Sequence, residues 1–260
     1  MNLTRRDFLK LGSVAVVSLS LTEYATADAV KIPVLMYHEI SHEIREKETV
    51  SPPLFAAQME WLYGAGYRAL SFRELDSLDA KSARRAVVIT FDDGYSSFMD
   101  HAFPLIAEYG FKATINMIGS AVGGFVSGKD PRLSWDECRF LTKSGLVEIG
   151  CHTYGLHSWY GRLPRPRAVT AFDEKLEQDL SVFQGFYRKE MGRPANILAW
   201  PYGMHDRKSI EIAKHAGFSF ILNSERGYFV KGSDQYDIPR LLINNDTSLG
   251  LFRELIEMRP

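Results

Sequence analysis

Short runs of β-branched and aromatic residues alternate with amphipathic helical stretches along most of this 260-residue chain, and that alternation restricts its fold more than any other feature. The runs predicted as strands cover residues 32–37, 68–71, 86–91, 113–117, 147–152, 196–200, 218–222 and 238–243, with helices between most of them. The clearest helix follows Thr170 as its N-cap, carries Asp173 and Glu174 in its first turn, and repeats apolar residues at Leu176, Leu180, Phe183 and Tyr187. Gly192-Arg193-Pro194 stops it. No Pro/Gly/Ser-rich linker divides the chain, so residues 28–260 are read as one domain. Strand-helix alternation predicts an α/β fold with a mainly parallel sheet, and seven or eight such units closing on themselves predict a (β/α) barrel. An open doubly wound sheet is the alternative. In both, reactive groups gather at the carboxyl ends of the strands, because the loops there can vary without disturbing the core.

Composition removes several classes of function. Lys plus Arg number 31 against 32 for Asp plus Glu, a net charge of -1, so no positive field exists to hold nucleic acid. The only two cysteines, Cys138 and Cys151, exclude a disulfide scaffold and a four-thiolate zinc site. Their predicted places, mid-helix and at a strand end, suit free buried thiols. At the N-terminus, Thr4-Arg5-Arg6-Asp7-Phe8-Leu9-Lys10 precedes an apolar run from Leu11 to Leu21 and a small-residue site at Ala25-Thr26-Ala27. This resembles a twin-arginine export signal over residues 1–27. The apolar run is too short for a spanning helix, which needs roughly 20 residues. The expected location is therefore periplasmic or extracellular, with no transmembrane segment beyond the signal.

Polar residues at strand ends mark the candidate site. The apolar run Ala86-Val87-Val88-Ile89-Thr90-Phe91 ends in Asp92-Asp93-Gly94-Tyr95. Adjacent ionised carboxylates repel, and the end of a buried strand desolvates them, so a cation or strong donors must compensate. A helix N-cap accounts for one aspartate but not readily for both. The strand through Val147-Glu148-Ile149-Gly150-Cys151 runs into His152-Thr153-Tyr154-Gly155-Leu156-His157. Five residues turn roughly 140° around a helix, so these histidines would diverge from a helical segment. From a strand end and the far side of a turn allowed by Gly155, they can converge on one ion. Asp, His and His with open positions suit Zn²⁺ or a similar divalent ion and hydrolytic chemistry. Co²⁺, Ni²⁺ and Fe²⁺ fit the same ligand types. Leu198-Ala199-Trp200-Pro201-Tyr202-Gly203 ends a third strand in a turn that Pro and Gly alone would explain. His38 ends the first strand, in Val34-Leu35-Met36-Tyr37-His38-Glu39, and taken alone reads as an ordinary core or surface residue.

Taken together, Thr90-Phe91-Asp92-Asp93-Gly94-Tyr95, His152-Thr153-Tyr154-Gly155-Leu156-His157 and Trp200-Pro201-Tyr202-Gly203 resemble the motifs of the polysaccharide deacetylase family. This is the NodB-homology group, also called carbohydrate esterase family 4. The resemblance implies a distorted (β/α) barrel and a metal-dependent enzyme that removes N-acetyl groups from a polysaccharide. It implies Asp92 as general base, Asp93, His152 and His157 as metal ligands, and the Tyr202 backbone N–H as an oxyanion donor. Trp200 and Pro201 are expected on the substrate side. Trp135, Trp159 and Tyr160 are further candidates for stacking on sugar rings, with core or surface packing an equal reading of each.

Two departures from the common family pattern point to a branch. Three residues, Tyr154, Gly155 and Leu156, follow His152-Thr153 where two are usual, and Ala199 stands where an arginine usually orients the base. With Met36-Tyr37-His38, these resemble the branch that N-deacetylates poly-β-1,6-N-acetylglucosamine, in which the general-acid histidine lies on the N-terminal strand. On that likeness His38 is the acid. The usual late Leu-x-His motif is missing, since Ile238-Pro239-Arg240-Leu241-Leu242-Ile243 ends without histidine. Peptidoglycan or another N-acetylated glycan is the alternative substrate. A metal-free glycoside hydrolase using Asp92 and a second carboxylate, and a non-catalytic carbohydrate-binding or assembly protein, are the competing functions.

Overall fold

The apolar run at residues 86–91 is buried at every position, which only a strand covered on both faces permits. The structure, a computed structural model, describes residues 30–44, 46–75, 79, 83–125, 131–160 and 170–257. The N-terminal export signal expected over residues 1–27 lies outside the described residues. Among those described, the strands are β1 (Lys31–Ile32), β2 (Val34–Tyr37), β3 (Arg68–Ala69), β4 (Ala86–Phe91), β5 (Ala113–Met117), β6 (Val147–Cys151), β7 (Ile197–Ala199), β8 (Phe220–Arg226), β9 (Phe229–Val230) and β10 (Ile238–Leu242). The helices are α1 (Pro52–Gly64), α2 (Phe72–Leu75), α3 (Phe103–Glu108), α4 (Trp135–Lys143), α5 (His157–Tyr160), α6 (Thr170–Met191), α7 (Arg207–His215) and α8 (Leu249–Glu257).

Seven strands run parallel in the order β2-β10-β8-β7-β6-β5-β4, and β4 pairs with β2 again to close the barrel. That last pairing, in register from Val34 against Val88 to Tyr37 against Phe91, excludes the open doubly wound sheet. β3 lies against the start of β4, and β1 forms a short antiparallel ribbon with β9. Alternate strand residues fall into two apolar clusters. One joins Val87, Ile89 and Ile115 to the helices; the other gathers Val34, Val88, Ile197, Leu222 and Ile238 from around the ring, which places it inside the barrel. On that inner face, polar residues replace apolar ones toward the carboxyl ends: Thr90, Thr114, Asn116 and Arg240 are all buried.

Local chemistry explains the element ends. A reciprocal capping box opens α4, where Ser134 Oγ accepts from the Glu137 amide and Glu137 accepts from the Ser134 amide. Asp206 and Ser209 do the same for α7. The expected stripe on α6 is buried through Phe172, Leu176, Leu180, Phe183 and Tyr187, and Gly192 adopts a left-handed φ of 71° just beyond its end. Thr170 is the first helical residue rather than the cap before it.

Both cysteines are free and buried, as their places in helix and strand suggest. Burial pushes the Cys138 thiol up to about 12 and Cys151 well above its ordinary range. The folded protein should therefore show no thiol reactive toward an aromatic disulfide reagent at pH 8, and both should react in guanidinium chloride. A thiol titration in the two conditions checks this.

Candidate metal centre

Asp92 continues the inner face of β4, the face of Val88 and Thr90, into the mouth of the barrel, and its amide still donates to the Tyr37 carbonyl at 2.9 Å. The chain then breaks from extended geometry, with φ of 70° at Asp93 and 72° at Gly94. Aspartate tolerates the left-handed region better than most residues. A Cβ at Gly94 would also crowd the Met117 thioether, which would have to move. The break separates the two carboxylates and gives them different surroundings.

Asp92 is 2% exposed and fully engaged. Arg240 reaches it with both terminal nitrogens, Nη1 to Oδ1 at 2.8 Å and Nη2 to Oδ2 at 2.7 Å, and Asn116 Nδ2 donates to Oδ1 at 2.8 Å. Arg240 is itself sealed inside the barrel, donating from Nε to the Asn223 carbonyl and from Nη1 to Thr90 Oγ1. Room for Asn116 comes from Gly150 on the next strand, where a Cβ would meet Asn116 Oδ1 at 2.4 Å. Burial alone opposes charge on Asp92, but the Arg240 guanidinium outweighs it and holds the carboxyl well below the usual carboxylate range. The cation that pairs with Asp92 thus comes from β10, while Ala199 stands on the strand before Trp200. The signal for it in the sequence is a lone cation inside the apolar strand Ile238–Leu242, which demands a buried anion.

Among the described residues Asp93 has no arginine or lysine partner. Its Oδ1 lies 3.5 Å from His152 Nε2 and 3.2 Å from His157 Nε2, and is buried without a donor aligned on it. One ligand atom from each of the three residues falls within 4.8 Å of the others. His152 Nδ1 is 2.8 Å from the Ala199 carbonyl, which can only accept, so the ring proton sits on Nδ1 and Nε2 presents a lone pair. Burial pushes His152 down to about 4, leaving the ring neutral near pH 7. A lone pair of His152 then faces the carboxylate oxygen across 3.5 Å with no proton between them. Such a set of donors fits a divalent cation, with the Ala199 carbonyl fixing the tautomer from outside.

His157 reaches this point through a turn that differs from the one expected. The left-handed residue is Thr153, with φ of 66°, and not Gly155. The Thr153 and Tyr154 carbonyls accept from the amides of Gly119 and Ser120, which fixes the reversal from the β5 side.

A cleft of about 470 Å³ opens over these groups, lined in part by His38, Asp92, Asp93, His152, His157 and Trp200. His38 keeps Nδ1 buried and without a hydrogen-bond partner. Tyr202, half exposed and at φ 56°, lies in a 3₁₀ turn (Pro201–Gly203), its ring 5.1 Å from that of His157. Trp200 is buried in the cleft wall with its indole N–H unpaired, whereas Pro201 is buried and does not line the cleft. Trp135, Trp159 and Tyr160 lie outside it as well: Trp135 packs on Tyr187, Trp159 on Phe172, and Tyr160 is wholly buried.

Comparison with known proteins supplies the context. A family model described as polysaccharide deacetylase matches residues 79–221. The poly-β-1,6-N-acetyl-D-glucosamine N-deacetylase of Staphylococcus aureus is 26% identical over 214 residues, covering 82% of this chain and 73% of that protein. A crystal structure of a polysaccharide deacetylase from Bacillus cereus superposes with a TM-score of 0.71 at 26% identity, covering 87% of this chain and 69% of that one. IcaB from Ammonifex degensii shares the fold, with a TM-score of 0.75, 24% identity, and coverage of 87% and 97%.

Because Asp92 ionises more readily in the folded chain than in the unfolded one, the stability linked to it is complete above about pH 4 and is lost as pH falls below that value. Arg240→Met reverses the relation by leaving Asp92 buried and unpaired. Urea denaturation at pH 7 should show a loss of about 3–5 kcal/mol, shrinking at pH 5 as the carboxyl takes up a proton. A deficit that does not shrink on acidification contradicts the account.

Proposed function

The chain belongs to the polysaccharide deacetylase family, and from that premise we propose that it is a metal-dependent hydrolase that removes N-acetyl groups from an exported polysaccharide, poly-β-1,6-N-acetylglucosamine in the first instance. The observation that carries the reading is the contrast between the two aspartates: one is paired with an internal guanidinium, while the other faces two imidazoles whose ring nitrogens lie 3.2 and 3.5 Å from its Oδ1. Asp93, His152 and His157 would hold the cation, with Zn²⁺ the first choice. When bound, a divalent ion supplies Lewis acidity that polarises an amide carbonyl and acidifies water.

The protein's own groups account for the remaining steps. Asp92 receives the proton of the attacking water, and Oδ2, with one hydrogen bond against two at Oδ1, keeps the more accessible lone pair. The Tyr202 backbone N–H donates to the developing oxyanion, a contribution of roughly 3 kcal/mol where such donors have been removed in other enzymes. His38, at the end of β2 beside the end of β4, protonates the amine as it leaves. Trp200 forms the apolar wall beside the acetyl group, and Pro201 acts by starting the turn that presents Tyr202. The substrate reading is supported by the activity for which the S. aureus relative is named and by a histidine at the end of β2. Residues 1–27 would direct export; among the described residues, no helix is long and apolar enough to cross a membrane. The convergence of Asp93, His152 and His157 on one point disfavours the glycoside hydrolase reading, which needs no metal.

Acetate release should be measured on defined β-1,6-linked and β-1,4-linked N-acetylglucosamine oligomers, with and without chelator. The expected result is release from the β-1,6 series, abolished by chelation and restored by Zn²⁺ or Co²⁺. Asp92→Asn should retain metal and oligosaccharide binding while turnover falls about 10²- to 10⁴-fold. Undiminished turnover in that variant would remove Asp92 from the base role, and release from the β-1,4 series alone would overturn the substrate.

A further inference from the structure

The turn that carries His157 is held from its other side by a side chain remote in sequence. Asp179, on α6, projects its carboxylate into the segment 154–156: Oδ2 accepts from the Tyr154 amide at 2.6 Å and Oδ1 from the Gly155 amide at 2.7 Å. Two successive amides converging on one carboxylate form a concave cradle for an anion, and here the anion belongs to the protein. The same helix supports the turn a second time, with Phe186 stacked on Tyr154 at 5.3 Å between ring centroids and 12° between planes. Those two amides belong to Tyr154 and Gly155, in the stretch of three residues that separates His152-Thr153 from His157, one residue longer than the usual family form. A longer connection has more conformations, and each one lost must be balanced by a contact.

We propose that Asp179 is a positioning residue that sets the metal affinity of the site by fixing the segment 154–156 and, through it, the reach of the His157 imidazole to Asp93. This rests on the reading that Asp93, His152 and His157 hold a divalent ion. Asp179 touches none of the three and supplies no ligand. Its effect passes entirely through the backbone to one histidine, which sets it apart from a contact that merely stabilises the barrel.

The test is metal binding by the full chain, stripped of metal and titrated with Zn²⁺ alone and Co²⁺ alone in competition with a chromophoric chelator. Wild type should bind one equivalent. Asp179→Ala should bind about 10- to 100-fold more weakly, the usual range for groups that orient a ligand from outside, with the melting temperature of the metal-free protein little changed. In a His157→Ala background, adding Asp179→Ala should leave the weakened affinity where it is, because the histidine it positions is gone. Equal affinity of Asp179→Ala and wild type overturns the proposal, as does an equal further loss in the His157→Ala background. If Asp179→Ala does not fold, the same comparisons are read on Asp179→Asn, which keeps the volume and one accepting oxygen. Failure of the wild type itself to bind either ion overturns the metal reading, and the proposal with it.

Discussion

A guanidinium enclosed in a barrel of apolar side chains is the constraint around which this molecule is arranged. Arg240 is only 1% exposed, and four of its five N–H groups bond within the fold, to Asn223, to Thr90 and twice to Asp92. Removing two ions from water costs several kcal/mol each, and only a bidentate pair with its remaining groups satisfied can offset that. Such pairs are weak devices for stability. What this one provides is a carboxylate that is at once buried and ionised, a state no isolated aspartate could hold in a dry interior.

The neighbouring aspartate shows the same rule with the answer left outside the chain. Asp92 and Asp93 differ by one residue, but the left-handed turn at Asp93 and Gly94 sends the second carboxylate toward the imidazoles instead of into the barrel. Among the described residues no arginine or lysine reaches its Oδ1, and the His152 tautomer fixed by Ala199 turns a lone pair toward it. Ala199 thus contributes its carbonyl to His152, while the cation for Asp92 comes from β10.

Much of this could be read from the residues. β4 and β5 span the expected residues, since apolar runs bounded by turn formers mark their own limits. Asp93, His152 and His157 meet because strand ends of one parallel barrel all face one way, so residues placed at those ends are neighbours whatever their separation in sequence. The partner of Arg240 was illegible for the complementary reason. Periodicity reports which face a residue occupies, not which residue across the ring it meets, and its partner is 148 positions away. Thr153 was missed in favour of Gly155 because glycine is the default residue for a left-handed turn; here the hydrogen bonds to Gly119 and Ser120 impose that conformation on a threonine. The β1–β9 ribbon, two residues on each side, carries too short a pattern to register at all.

The pairing of β2 with both β4 and β10 has a consequence for how the protein comes apart. Were β10 to undock, the ring would open at that seam and the inner carboxylate would lose its counter-charge in the same movement. Loss of the seam therefore costs sheet pairing, apolar cover and electrostatic compensation together, which suppresses half-open forms and ties heat inactivation to global melting. Such closure between distant segments also makes for slow assembly, because the loop entropy of joining them is spent before the last contacts form.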